Sequence, residues 1–134
     1  MAKTTTKEFD FRTIKSFEDA CKHLGIEPKL PDVSWMLPEF QKGIIGAYKL
    51  FVIFKAINNG WRPDWTNRNQ RKYFSWLWVS SSGFGFGRSY CACGYSGTTC
   101  GSRLCTETEE KALYIAKQFG VDGQEYKEFF LYID

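Results

Sequence analysis

The sequence predicts an α+β domain of order ααβββαα: two N-terminal helices, a three-stranded antiparallel meander and two C-terminal helices. Three observations predict it. Apolar residues recur at helical spacing before residue 59 and again after residue 106. Between them, short stretches alternate with period two and are separated by Ser/Gly turns. The 134 residues suit a single core, and an aromatic content of 18% is high enough to fill it with large rings. The expected organisation is a flexible N-terminal arm over residues 1–13, followed by one domain over 14–134.

Ser16 opens the first helix, with Asp19 three positions on in a capping-box arrangement. Phe17, Ala20, Cys21 and Leu24 make one apolar stripe, and Gly25 is placed to end the helix. His23, the single histidine, lies off that stripe and is expected in solvent. The next segment carries Pro28, Pro31 and Pro38 and is expected to be extended, pinned by Leu30, Trp35 and Leu37. A second helix runs from Pro38 to Asn58, apolar over so wide an arc that it should be buried on several sides. Asn58, Asn59 and Gly60 supply its stop.

Residues 61–71 read as a loop, in which Asp64 caps its own turn or pairs with Arg103. Residues 74–79 then form a strand covered on both faces, residues 84–93 a second, and residues 98–105 a third. Thr106 and Glu109 form a capping box for a third helix, striped by Ala112, Ile115, Ala116 and Phe119 and stopped by Gly120. Asp122 caps a last helix carrying Tyr126, Phe129, Phe130 and Ile133.

No apolar run approaches the ~20 residues that cross a bilayer, and the first eleven residues lack the apolar core of a signal peptide. The expectation is a cytoplasmic protein with no membrane association and reduced cysteines; five cysteines do not close into pairs. Net charge is only +3, but residues 61–103 hold six Lys/Arg against one Asp, a local +5 offset by −2 elsewhere.

That basic stretch contains every tryptophan except Trp35, and tryptophan beside arginine is a recurrent composition of binding surfaces. The candidate binding residues are Trp61, Arg62, Trp65, Arg68, Arg71 and Lys72 from the loop. Phe84, Phe86, Arg88 and Tyr90 join them from one strand face, and Arg103 follows. Two partners fit: a protein, or a single-stranded nucleic acid whose bases stack on rings while cations track phosphates. The opposing reading is that the tryptophans simply fill the core, with an arginine stacked over them. Cys91, Cys93, Cys100 and Cys105 fall within fifteen residues and offer a zinc alternative. The usual C-x2-C knuckle is absent, and small apolar side chains packed under a sheet explain the four without metal, so no metal is assigned. The G-F-G-F-G-R run is followed by no helix and is not a phosphate loop. No nucleophile–base pair assembles, so neither catalysis nor a cofactor is expected.

Several motifs together resemble a known family. They are Asn59-Gly60-Trp61, Pro63-Asp64-Trp65, Lys72-Tyr73, Trp76, Gly83-Phe84-Gly85-Phe86, and Gly101-Ser102-Arg103-Leu104-Cys105. The chain is similar over most of its length to small proteins of unassigned function encoded by tailed phages and integrated mobile elements of anaerobic gut bacteria. It departs from their pattern around Cys91, Cys93 and Cys100. The resemblance implies no activity. It implies a bacterial host cytoplasm or a virion as location, and a phage or host protein as partner.

Overall fold

The computed structural model describes residues 8–80, 83–85, 91–97 and 100–132. Four α-helices dominate it: α1 (Phe17–Leu24), α2 (Pro38–Asn58), α3 (Glu109–Ile115) and α4 (Glu125–Phe130). Four short strands lie between α2 and α3: β1 (Lys72–Ser75), β2 (Trp78–Ser80), β3 (Gly83–Gly85) and β4 (Cys91–Gly94).

Helix α1 begins as its sequence directs. Ser16 Oγ accepts from the Asp19 N–H at 3.1 Å, while Asp19 Oδ2 returns a bond to the Lys15 N–H at 3.0 Å, one residue outside a standard capping box. Gly25 closes the helix in the left-handed region at φ 69°. Helix α2 likewise keeps its expected bounds, with Pro38 in the first turn and Asn59 left-handed at φ 46° after the last. The C-terminal half of α2 is the centre of the core. Leu50, Ile53, Phe54, Ala56 and Ile57 are buried there against α1 on one side and α3 and α4 on the others. Of the arm expected over 1–13, residues 8–13 are described: Phe11 is buried beside Tyr114, and Phe9 stacks on His23.

Close approach of α2 and α4 requires a residue without a side chain. A Cβ built on Gly46 would meet the Glu125 carbonyl at 2.9 Å and Glu128 Cβ at 3.0 Å. Ala112, Ile115, Ala116 and Phe119 are all buried, as their stripe predicts. The start of that helix differs from expectation. Thr106 is taken up in a backbone bridge with Tyr73, its N–H donating at 2.7 Å, so Thr108 caps α3 instead. The helix also runs through Gly120 in a π-helical turn over Ala116–Val121. Leu77 packs at Gly120, where a Cβ would come within 2.9 Å of Leu77 Cδ1. Asp122 ends that turn rather than capping α4, which begins after Gln124 with no side-chain cap.

The three-stranded meander of the expected α+β class does not form. Strand β1 pairs antiparallel with β4, and β2 with β3, giving two separate two-stranded ladders nested one inside the other in sequence. The single strand expected over 74–79 breaks at Trp76 and Leu77. Trp76 turns outward, 48% exposed, while Leu77 leaves the strand layer to pack on the π-helical turn. Burial of one leucine against a helix outweighs continuation of a period-two ladder. The expected third strand also fails. Residues 98 and 99 lie outside the described residues; Gly101 at φ 73° starts a 3₁₀ turn over Ser102–Leu104, and Thr106, just past the expected strand, bridges to Tyr73.

The proline-containing connection differs as well. Leu30, Trp35 and Leu37, expected to pin it, are exposed, Trp35 to 77%. At the start of α2, Phe40 and Ile44 are exposed too, so the burial expected on several sides of this helix holds only from Gly46 onward.

Candidate nucleic-acid or protein interface

Helix α2 ends against a chain reversal that builds the site. Asn59 and Gly60, both at positive φ, turn the backbone, and the Trp61 N–H donates to the Asn58 carbonyl at 3.0 Å. This places Trp61, Arg62 and Pro63 back beside Lys55 and Asn58 on the last turns of α2. The opposite wall is the 3₁₀ turn carrying Ser102 and Arg103. Between them lies a recess of 640 Å³ lined by Phe51, Lys55, Asn58, Trp61, Arg62, Pro63, Ser102 and Arg103. A second recess of 350 Å³ shares Lys55, Trp61 and Arg62 and continues past Gly60 to His23.

The loop that supports this wall is fixed by short-range bonds. Asp64 Oδ1 accepts from the Thr66 hydroxyl at 2.6 Å and the Thr66 N–H at 3.0 Å, an Asx turn. The Thr66 bonds, and then the nearby Lys72 ammonium, hold the Asp64 carboxyl below the usual carboxylate range. The Asp64 N–H donates to Gln70 Oε1 at 2.6 Å, and Asn67 Oδ1 accepts from the Asn69 N–H at 2.9 Å. Asp64 thus caps its own turn and does not pair with Arg103, which instead lies over the Phe51 ring at 5.9 Å.

Lys72 and Trp65 have different tasks from the surface role expected of them. Lys72 is 0% exposed, and its ammonium donates to the carbonyls of Asn67 at 3.0 Å, Gln70 at 3.1 Å and Tyr95. An ammonium has three protons, and each is matched by a carbonyl. Its Nζ also sits 5.2 Å from the centroid of the Trp65 ring. Lys72 is therefore a clamp inside the loop. Trp65 donates its indole N–H to Ser102 Oγ, tying the loop to the 3₁₀ turn. Buried between these ties, Asn58 is 7% exposed and its Nδ2 donates to the Cys105 carbonyl at 2.8 Å.

The remaining candidates scatter. Arg68 is exposed on the loop, and Arg71 is exposed with its Nε donating to the Tyr95 hydroxyl at 3.1 Å. The hydroxyls of Tyr73 and Tyr95 raise the Arg71 pKa above its ordinary value. Phe84 lies in β3 with its backbone opposite Val79, while Phe86, Arg88 and Tyr90 fall outside the described residues. So do the side chains of Cys91 and Cys93, the first half of the zinc alternative; Cys100 Sγ and Cys105 Sγ are 3.7 Å apart. Among the described residues no three His, Cys, Asp or Glu side chains gather as a metal-binding group. His23 is exposed as expected, with Nε2 2.9 Å from Asn59 Oδ1.

Of the loop and turn residues named from sequence, the fold brings Trp61, Arg62 and Arg103 together, and it adds Lys55, Asn58, Phe51 and Ser102. Sequence reasoning missed Lys55 as one lysine on a helix and Asn58 as a stop signal. The available signal was their spacing of three, which places both on one helix face beside the Asn59-Gly60 reversal. A second surface was also missed. A 380 Å³ groove between the first half of α2 and the end of α4 with the residues after it is lined by Phe40, Ile44, Phe129, Phe130 and Tyr132, together with Glu39, Lys42 and Glu128.

No family model, curated protein or solved structure matches the chain. No helix among the described residues is long and apolar enough to cross a membrane.

Proposed function

We propose that this chain is a non-enzymatic binding protein of phage or mobile-element origin that engages a protein partner through the face formed by Trp61, Arg62 and Arg103. One observation carries the reading: two arginines, Lys55 and an indole surround one recess whose lining contains no carboxylate. Among the described residues Lys55, Arg62 and Arg103 form no ion pair. Tryptophan and arginine are enriched among the few residues that carry most of the binding energy in protein interfaces. The proposed setting is the bacterial host cytoplasm, or the virion.

The second reading, single-stranded nucleic acid at the same face, draws on the same cations and on the Trp61 ring. Protein is favoured because the cations enclose a recess instead of following a track; Arg68 and Arg71 lie on the loop outside the recess lining. A photo-crosslinking residue in place of Arg62, in the cells that make the protein, separates the two. A discrete protein adduct, absent when the same residue replaces Lys22 on α1, supports the first reading. An adduct with nucleic acid supports the second, and no adduct refutes both.

A further inference from the structure

We infer that the segment of the partner received by this recess is acidic, an extended peptide whose Asp or Glu side chains meet Lys55, Arg62 and Arg103. The inference rests on the protein-partner reading above and names the chemistry of the group received.

Two independent observations point to it. The first is charge. Three cations line a recess without a carboxylate in its wall, on a chain with nearly as many acids as bases, so the excess is local. Arginine in particular presents a planar fork that matches a carboxylate through two parallel bonds. The Arg103 guanidinium lies over the Phe51 ring, 5.9 Å from its centroid, a contact that favours its position at the recess before a ligand arrives.

The second is Asn58. It lines the recess, is more than nine-tenths buried, and has its Nδ2 committed to the Cys105 carbonyl. Its Oδ1 is buried with no hydrogen-bond partner among the described residues. A desolvated acceptor without a donor carries a cost, and an incoming N–H removes it once the recess wall opens to expose Oδ1, which is closed to solvent in the free chain. A peptide brings both complements, carboxylates on its side chains and one N–H per residue on its backbone. A phosphodiester brings only acceptors along its backbone. Trp61 then offers an apolar face to a side chain next to the acid.

The test is fluorescence anisotropy of the full chain titrated into a labelled Glu-rich peptide with one leucine, its Gln-for-Glu counterpart, and a labelled oligodeoxythymidine. The Glu peptide is expected to bind at least about tenfold tighter than the Gln peptide and the oligonucleotide. Arg62→Glu and Arg103→Glu should each weaken it by about tenfold, whereas Lys22→Glu, the same charge change elsewhere, should alter it by less than about twofold. Both arginines are exposed, so their replacement leaves the core intact and unfolding does not confuse the result. Equal binding of the Glu and Gln peptides, equal loss in Lys22→Glu, or tighter binding of the oligonucleotide overturns the inference. If crosslinking at position 62 still captures a protein whose joined segment is not acidic, the inference fails and the protein-partner reading stands.

Discussion

Two glycines one turn apart in α2 allow the helix packing to be tested quantitatively. Replacing glycine by alanine in a helix interior favours folding by ~0.8–1.0 kcal/mol, because the unfolded chain has less freedom to lose. That gain applies alike to Gly43 and Gly46, both inside Pro38–Asn58. Their surroundings differ. A Cβ on Gly43 meets only the Glu128 carbonyl at 3.6 Å, an ordinary contact. A Cβ on Gly46 meets the Glu125 carbonyl at 2.9 Å, Glu128 Cβ at 3.0 Å and the Phe129 nitrogen at 3.1 Å. Two of these three are backbone atoms of α4, which cannot rotate away, so α4 must move. Overpacking of this kind costs ~1–3 kcal/mol. Gly43→Ala should therefore stabilise by about 0.5–1 kcal/mol, and Gly46→Ala should destabilise by up to about 2 kcal/mol. The difference between the variants, ~1–3 kcal/mol, is independent of the shared propensity term. Urea denaturation followed by circular dichroism measures it as a change of midpoint at constant slope. If Gly46→Ala stabilises as much as Gly43→Ala, α2 and α4 are not in contact as described and the account of the core is wrong.

Lys72→Met should cost about 2–4 kcal/mol, since three carbonyls lose a charged donor together; the same urea curves report it. Its loss should also loosen residues 64–71, read as faster amide exchange there, and Lys72→Arg should not restore it because the guanidinium fork does not match three convergent carbonyls. Burial raises the pKa of the Tyr126 hydroxyl far above its ordinary value, against a smaller lowering by its bond to Ser75. A raised folded-state pKa means the folded chain holds its proton longer than the unfolded chain. Stability is then fully present below the ordinary tyrosine range, about pH 10, and declines as pH rises above it. Tyr126→Phe should flatten the stability profile above that range, measured by thermal melts across alkaline pH; an unchanged profile would show that another group governs it.

Much of the helical framework was legible in the chain itself. Ser16, Gly25 and Asn59 act through bonds to their own neighbours within four residues, and Pro38 through its fixed φ and missing N–H, so their effect needs no knowledge of the rest of the molecule. The stripes at Phe17–Ala20–Cys21 and Ala112–Ile115–Ala116–Phe119 name the buried faces for the same reason. The caps of the last two helices were not legible. Thr106 and Thr108 are equally good caps locally, and a bridge to Tyr73, thirty-three residues away, decided between them.

The chain by itself determined the ends of the first two helices, the buried stripes of α1 and α3, and that its cations gather between residues 61 and 103. Tertiary structure alone decided the strand pairing, because β1 finds its partner β4 across the intervening β2–β3 ladder (Lys72 opposite Gly94, Ser75 opposite Cys91) and Leu77 leaves the strand to pack at Gly120. It alone divided the basic residues by task. Lys72 faces three inward carbonyls and holds the loop, while Lys55, Arg62 and Arg103 arrive from three separate segments at one open recess. A lysine's charge is written in the sequence; whether a carbonyl or solvent surrounds that charge depends on backbone brought from elsewhere.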